Sequence, residues 1–132
     1  MNPITRAFWN RVLGDRGERA ASRRLRAEGM RILRRGYRTA NGEIDLIARD
    51  GDTVVFVEVK ARRRGQPAEA VTPEKQRRLT LAALHFLKRY GLLEQRSRFD
   101  VVAVLWPADD ADPEIQHIRD AFGAQGRGQM FR

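Results

Sequence analysis

Residues 42–64, GEIDLIARDGDTVVFVEVKARRR, hold two apolar runs separated by Asp50-Gly51-Asp52. Alternation of apolar and polar positions around an Asp-Gly turn predicts a β-hairpin. In the second strand Val55, Val57 and Val59 share one face, with Phe56, Glu58 and Lys60 on the other. In the first, Ile44, Leu46 and Ala48 share a face opposite Glu43, Asp45 and Ile47. Carboxylates at 45 and 58 therefore stand where a strand between two apolar runs should be greasy.

The pattern elsewhere supplies the rest of the architecture. Residues 1–14 read as a short basic amphipathic helix with Phe8 and Trp9. Asp15 reads as an N-cap, with Glu18 at capping-box spacing, for a helix running to about Ala27 and stopping near Gly29. Its inward stripe is Glu18, Ala21 and Leu25. MRILRRGYRT predicts a strand before the hairpin, and ARRRGQPAEAV a basic loop after it. Thr72 and Pro73 then open a helix whose apolar positions Leu79, Ala82, Ala83, Phe86, Leu87 and Tyr90 recur at three and four. RFDVVAVLW, 98–106, predicts a strand covered on both faces and ended by Pro107. EIQHIRDAF is a short strand or turn, and the tail at 123–132 is expected to be flexible. The expectation is one α/β domain over residues 1–122: a mixed four- to five-stranded sheet flanked by helices, in the order α-β-β-β-α-β.

Charge changes the picture. The formal net charge is +9, and 23 of the 26 basic residues are arginine. Such a field favours polyanions, nucleic acid foremost. The lysines are Lys60, Lys75 and Lys88. A lysine is a compact charge able to approach one oxygen or water, unlike the forked guanidinium. With no cysteine, disulfides, thiol catalysis and cysteine zinc sites are excluded. His85 and His117 offer no HExxH spacing, and His85 reads as a half-buried helix residue rather than a ligand. No run approaches the roughly 18–20 apolar residues of a membrane helix, and no signal pattern opens the chain, so a cytoplasmic location is expected.

Hairpin parity gives the charged positions a meaning. With either Asp50-Gly51 or Gly51-Asp52 central, Asp45 falls on the face of Glu58, directly opposite in the second register and diagonal in the first. Two carboxylates held together repel, so something positive must offset them. Lys60 supplies one charge; a divalent cation with oxygen ligands balances the pair better. Mg²⁺ takes one or two carboxylates and leaves other positions to water and phosphate. Lys60 would then hold the attacking water or neutralise the phosphate. The plain alternative is a surface salt bridge, since an E-x-K tripeptide alone is weak evidence. Glu18 either points over the sheet or caps with Asp15. Lys75 snorkels or reaches phosphate. Arg62, Arg63 and Arg64 are either a solvated loop or a grip on a nucleic-acid backbone beside the site. Asp100 is expected to pair with an arginine near the sheet edge.

GERAA with Glu18, GEIDLIARDGDTVVFVEVKARRR, AVTPEKQRRL and RFDVVAV together resemble the YraN family of small bacterial proteins, over roughly residues 14–104. That family is similar to the restriction-endonuclease-like PD-(D/E)xK nuclease superfamily, especially archaeal Holliday junction resolvases. The resemblance implies a helix, a three-strand meander, a crossover helix and a further strand. It implies metal binding by Asp45, Glu58 and the Val59 carbonyl, a catalytic lysine in Lys60, and an acidic residue in Glu18. Ile44 stands where the superfamily often has proline, and Gly36 where the family often has asparagine. The expected function is a Mg²⁺- or Mn²⁺-dependent endonuclease on DNA, branched DNA included, acting alone or as a homodimer. The alternative is a non-catalytic nucleic-acid-binding or interaction protein on the same scaffold.

Overall fold

The computed structural model describes residues 3–124, with side chains from residue 11 onward. The expected roles of the Phe8 and Trp9 side chains, and of residues 125–132 of the tail, lie outside the described residues. Two helices and five strands follow in the order α1 (Pro3–Ala27), β1 (Arg31–Arg38), β2 (Glu43–Asp50), β3 (Thr53–Arg63), α2 (Pro73–Arg89), β4 (Arg96–Trp106) and β5 (Glu114–Phe122). EIQHIRDAF is thus a strand, which completes the five-stranded count.

The strands lie in the spatial order β1-β2-β3-β4-β5. All neighbours are antiparallel except β3 and β4, which are parallel and joined by the α2 crossover. A parallel pair cannot be closed by a tight turn, so the 3-and-4 apolar repeat of α2 is what permits this topology. Thr72 Oγ1 accepts the Lys75 N–H at 3.2 Å, and Pro73 occupies the first turn, as the sequence predicts. Tyr90 departs from the expected stripe. It is the C-cap, 45% exposed, because the helix ends at Arg89.

Each helix covers one face of the sheet. Ala21 and Leu25 of α1 pack with Leu46, Val55, Val57 and Val102. Leu79, Ala83 and Phe86 of α2 pack with Tyr37, Ile47, Phe56 and Phe99. Two expectations fail here. α1 runs unbroken through Asp15, which is exposed and mid-helix, not an N-cap. Burial of Leu13, Ala20 and Ala21 against the sheet carries the helix past Gly14 and Gly17, because tertiary packing outweighs local propensity. Ile44 joins the α2-side cluster with Ile47, so the alternation that would align it with Leu46 and Ala48 breaks at the start of β2.

At the hairpin end of the sheet, charges form a closed network. Asp100, fully buried, accepts Arg98 Nε at 2.9 Å and the Asp120 N–H at 2.9 Å. His117 Nε2 lies 2.7 Å from Asp100 Oδ2, and its Nδ1 lies 2.8 Å from Glu28 Oε1. Arg119 bridges Glu28 and Asp50, and Arg98 also reaches Asp50 at 3.0 Å. This ties edge strand β5 to β2, β4 and the residue just beyond α1. The expected arginine partner of Asp100 is Arg98.

Candidate active site

Turn chemistry sets the register of the acidic hairpin. Asp50 pairs with Thr53, so Gly51-Asp52 are central, and Gly51 has φ +62°, a left-handed conformation that glycine adopts freely. The paired ladder runs as far as Leu46 and Val57. Past that point the Asp45 side chain reaches across: Val59 N–H donates to Asp45 Oδ2 at 2.8 Å. One carboxylate oxygen is thereby fixed by the backbone of the strand that bears Glu58.

Glu18 arrives from above. α1 approaches β3 so closely that a Cβ at Gly17 would lie 2.7 Å from the Ala61 Cβ. Only glycine permits that approach, and the next residue is delivered to the same cleft. This cleft, of about 990 Å³, is lined by Glu18, Asp45, Glu58, Lys60, the loop residue Glu69 and Lys75, among others.

The electrostatics are unfavourable as they stand. Burial, and then the adjacent Asp45 carboxylate, push Glu58 up to about 8 against the partial relief given by Lys75 and Lys60. Burial and the charge of Asp45 push Glu18 up to about 7. Glu58 Oε2 is buried without a hydrogen-bond partner among the described residues, although Lys75 Nζ stands 3.5 Å away. Lys60 Nζ pairs instead with Glu69 Oε2 at 3.7 Å. Among the described residues no three His, Cys, Asp or Glu side chains gather closely enough to hold a metal by themselves. Asp45 and Glu58 offer the two-carboxylate set that a hard cation accepts when water and phosphate complete its shell. An orphaned, buried carboxylate oxygen fits that chemistry.

Residues 17–104 match the model of Uncharacterised protein family UPF0102. The chain belongs to that family. It is 50% identical to a UPF0102 protein of Geotalea uraniireducens over 116 residues, 86% of this chain and 91% of that one. It is 49% identical to one from Geobacter sulfurreducens, covering 86% and 90%. It is 50% identical to one from Rhodococcus jostii, covering 86% and 98%. The UPF0102 match spans Glu18, Asp45, Glu58 and Glu69 and both cleft lysines.

The structure brings Glu18, Asp45, Glu58, Lys60 and Lys75 to one cleft and opens the basic loop beside them. Arg62 donates from its guanidinium to the Gln66 carbonyl at 2.8 Å, and Arg64 N–H bonds the Trp106 carbonyl at 2.9 Å, so the loop start is tied to the sheet. Arg62 and Arg63 line the cleft. His85 is no part of it; its Nδ1 is 2.6 Å from the buried Tyr37 hydroxyl. The capping alternative for Glu18 falls with the unbroken helix. Sequence reasoning missed two residues. Glu69 carries no local signal, because its partner is set by how the loop folds back. Gly17 had one: a glycine immediately before an acidic residue on an inward helix stripe.

Proposed function

We propose that the chain is a metal-dependent endonuclease acting on DNA phosphodiesters, with branched or otherwise structured DNA as the first substrate class to try. One observation supports this above the rest: two cleft carboxylates are pushed towards neutrality by burial and by Asp45, and Glu58 Oε2 lacks a hydrogen-bond partner. The charge network around Asp100, by contrast, leaves no buried side-chain polar atom without a partner among the described residues. A site that holds like charges together at a cost in stability is a functional-site candidate.

Asp45, Glu58 and the Val59 carbonyl would hold Mg²⁺ or Mn²⁺, and the bound ion would polarise the phosphate and lower the pKa of a water. The Val59 N–H keeps Asp45 in place for this task. Lys60, freed from Glu69, would bear on the attacked phosphate or the incoming water. Lys75 would leave Glu58 for phosphate as the cation takes over its neutralising role. Glu18, near neutral pH in its affinity for a proton, is placed to accept one in the same cleft. Arg62, Arg63 and Arg64 would grip the backbone.

A second reading, DNA binding without turnover, is favoured by the fact that both cleft lysines already have carboxylate partners. The test is a panel of single-stranded, duplex, flap and four-way-junction DNA with Mg²⁺ or Mn²⁺. The nuclease reading expects cleavage that Asp45→Ala and Glu58→Ala abolish while binding stays intact or tightens. Binding across the panel with no cleavage would sink it in favour of the second.

A further inference from the structure

The outer face of α1 bears Arg16, Arg19, Arg23 and Arg26, spaced 3, 4 and 3. Helical geometry stacks them in one row about 15 Å long. All four are exposed. Arg19, Arg23 and Arg26 form no ion pair or side-chain hydrogen bond among the described residues, and Arg16 lies over the Trp106 ring, 4.8 Å from its centre.

Solubilising helix faces in this molecule look different. Arg24 pairs with Glu28, and Arg78 with Glu74, each four residues apart. The row instead places like charges at neighbouring positions, which destabilises a helix. Its acidic neighbours are Asp15, four residues before Arg19, and Asp112, which shares a hollow of about 260 Å³ with Arg16, Arg19 and Arg23. Neither stands within ion-pair distance of these arginines.

The row is continuous with the basic loop. Trp106, which Arg16 covers, pairs in register with Arg63, and its carbonyl accepts the Arg64 N–H. Gly17, beside Arg16, sits directly on Ala61, the residue before Arg62. Positive charge therefore runs from the lip of the cleft, across Trp106, and along α1.

We infer that this row is a second nucleic-acid contact, a comb of guanidinium forks along which the phosphate backbone of a DNA duplex arm leaves the cleft. It rests on the DNA reading above but not on catalysis. Guanidinium forks suit phosphate oxygens, and such contacts grip any sequence alike.

The experiment measures binding of the full chain to a fluorescein-labelled 30-base-pair duplex by anisotropy, across a salt series and without divalent metal. Arg19→Gln, Arg23→Gln and Arg26→Gln are combined in one variant. The slope of log affinity against log salt should flatten by about 2–3, with affinity at least about 10-fold weaker near 0.1 M salt. A duplex of different sequence should show the same loss. The triple Arg→Lys variant, which keeps the charge, should recover most of the slope, separating contact loss from misfolding. Asp112→Asn should tighten binding slightly. An unchanged slope and affinity in the triple Gln variant overturns the comb, as does a wild type that does not bind duplex at low salt. Binding that depends on the comb without any cleavage of the substrate panel fails the nuclease reading alone.

Discussion

Two clusters of three carboxylates sit on the same sheet and behave in opposite ways. Glu28, Asp50 and Asp100 meet the guanidinium groups of Arg98 and Arg119 and the ring nitrogens of His117, so carboxylates and their partners interleave at 2.7–3.2 Å. Hydrogen bonds from Arg98 hold Asp50 below the usual carboxylate range. Burial pushes Glu28 up, but bonds from His117 and Arg24 outweigh it and bring it below its ordinary value. Around Glu18, Asp45 and Glu58 the one ion pair among the described residues is Lys75 with Glu58 at 3.5 Å; Asp45 takes the Val59 N–H, Lys60 turns to Glu69, and Glu18 and Glu58 rise to about 7 and 8. Carboxylate number is the same in both. What differs is the number and reach of donors: arginine forks satisfy several oxygens at once, whereas a lysine at the cleft wall leaves one bare. The first cluster fastens an edge strand. The second stores repulsion that a bound cation would release.

The largest effect should come from breaking the paired cluster. Asp100→Asn leaves Arg98 and His117 underpaired in a buried site and should cost about 3–5 kcal/mol in denaturant unfolding. Glu58→Gln removes repulsion and should be neutral or stabilising. Equal losses in the two variants would erase the distinction. Next is chemistry: Lys60→Arg should lower cleavage by about 10²-fold or more, since a planar guanidinium cannot take the place of a compact ammonium. Asp50→Asn, in the other cluster, should leave the cleavage rate per folded molecule unchanged, which a single-turnover assay would check.

A smaller effect sharpens how Glu18 reaches the cleft. Gly17→Ala puts a methyl 2.7 Å from the Ala61 Cβ. Overpacking of this kind should cost about 1–3 kcal/mol, and it should also shift the pH profile of cleavage, a readout that simple destabilisation would leave in place. The smallest effect is a tilt of stability with pH. A carboxyl whose folded pKa is raised binds more protons folded than unfolded. The stability that Glu58 and Glu18 contribute is therefore full below about 4.5 and lost as pH rises through about 7 to 8. Glu28 and Asp50, held low, contribute above their ordinary values of 4.5 and 3.8 and lose that contribution on acidification. Thermal melts should thus fall on the alkaline side, and Glu58→Gln should flatten that fall. Added Mg²⁺ should raise the melting temperature more at pH 8.5 than at pH 5.5. A Mg²⁺ effect independent of pH would separate the ion from this cluster.

Much of this was legible in the chain. The hairpin followed from a period of two around Asp50-Gly51-Asp52; the turn left two registers open, and the structure takes the one with Gly51-Asp52 central. α2 followed from Thr72-Pro73 and a repeat of three and four. Parity alone placed Asp45 and Glu58 together. α1 was misjudged at Asp15, because a capping pattern is local and the burial of Leu13 on the sheet is not. The side of Ile44 was misjudged because alternation assumes a ladder that continues, and here the Asp45 side chain ends it.

Sequence by itself determined which residues could carry chemistry and which elements bear them: periodicity is written in neighbouring positions, and neighbours constrain one another through the backbone. Only the tertiary structure decided who pairs with whom. Lys60 turns to Glu69 and Lys75 to Glu58, and Glu28 meets His117 across 89 positions. Charge pairing acts through space over a few ångströms, so it is fixed only when helix and sheet have packed.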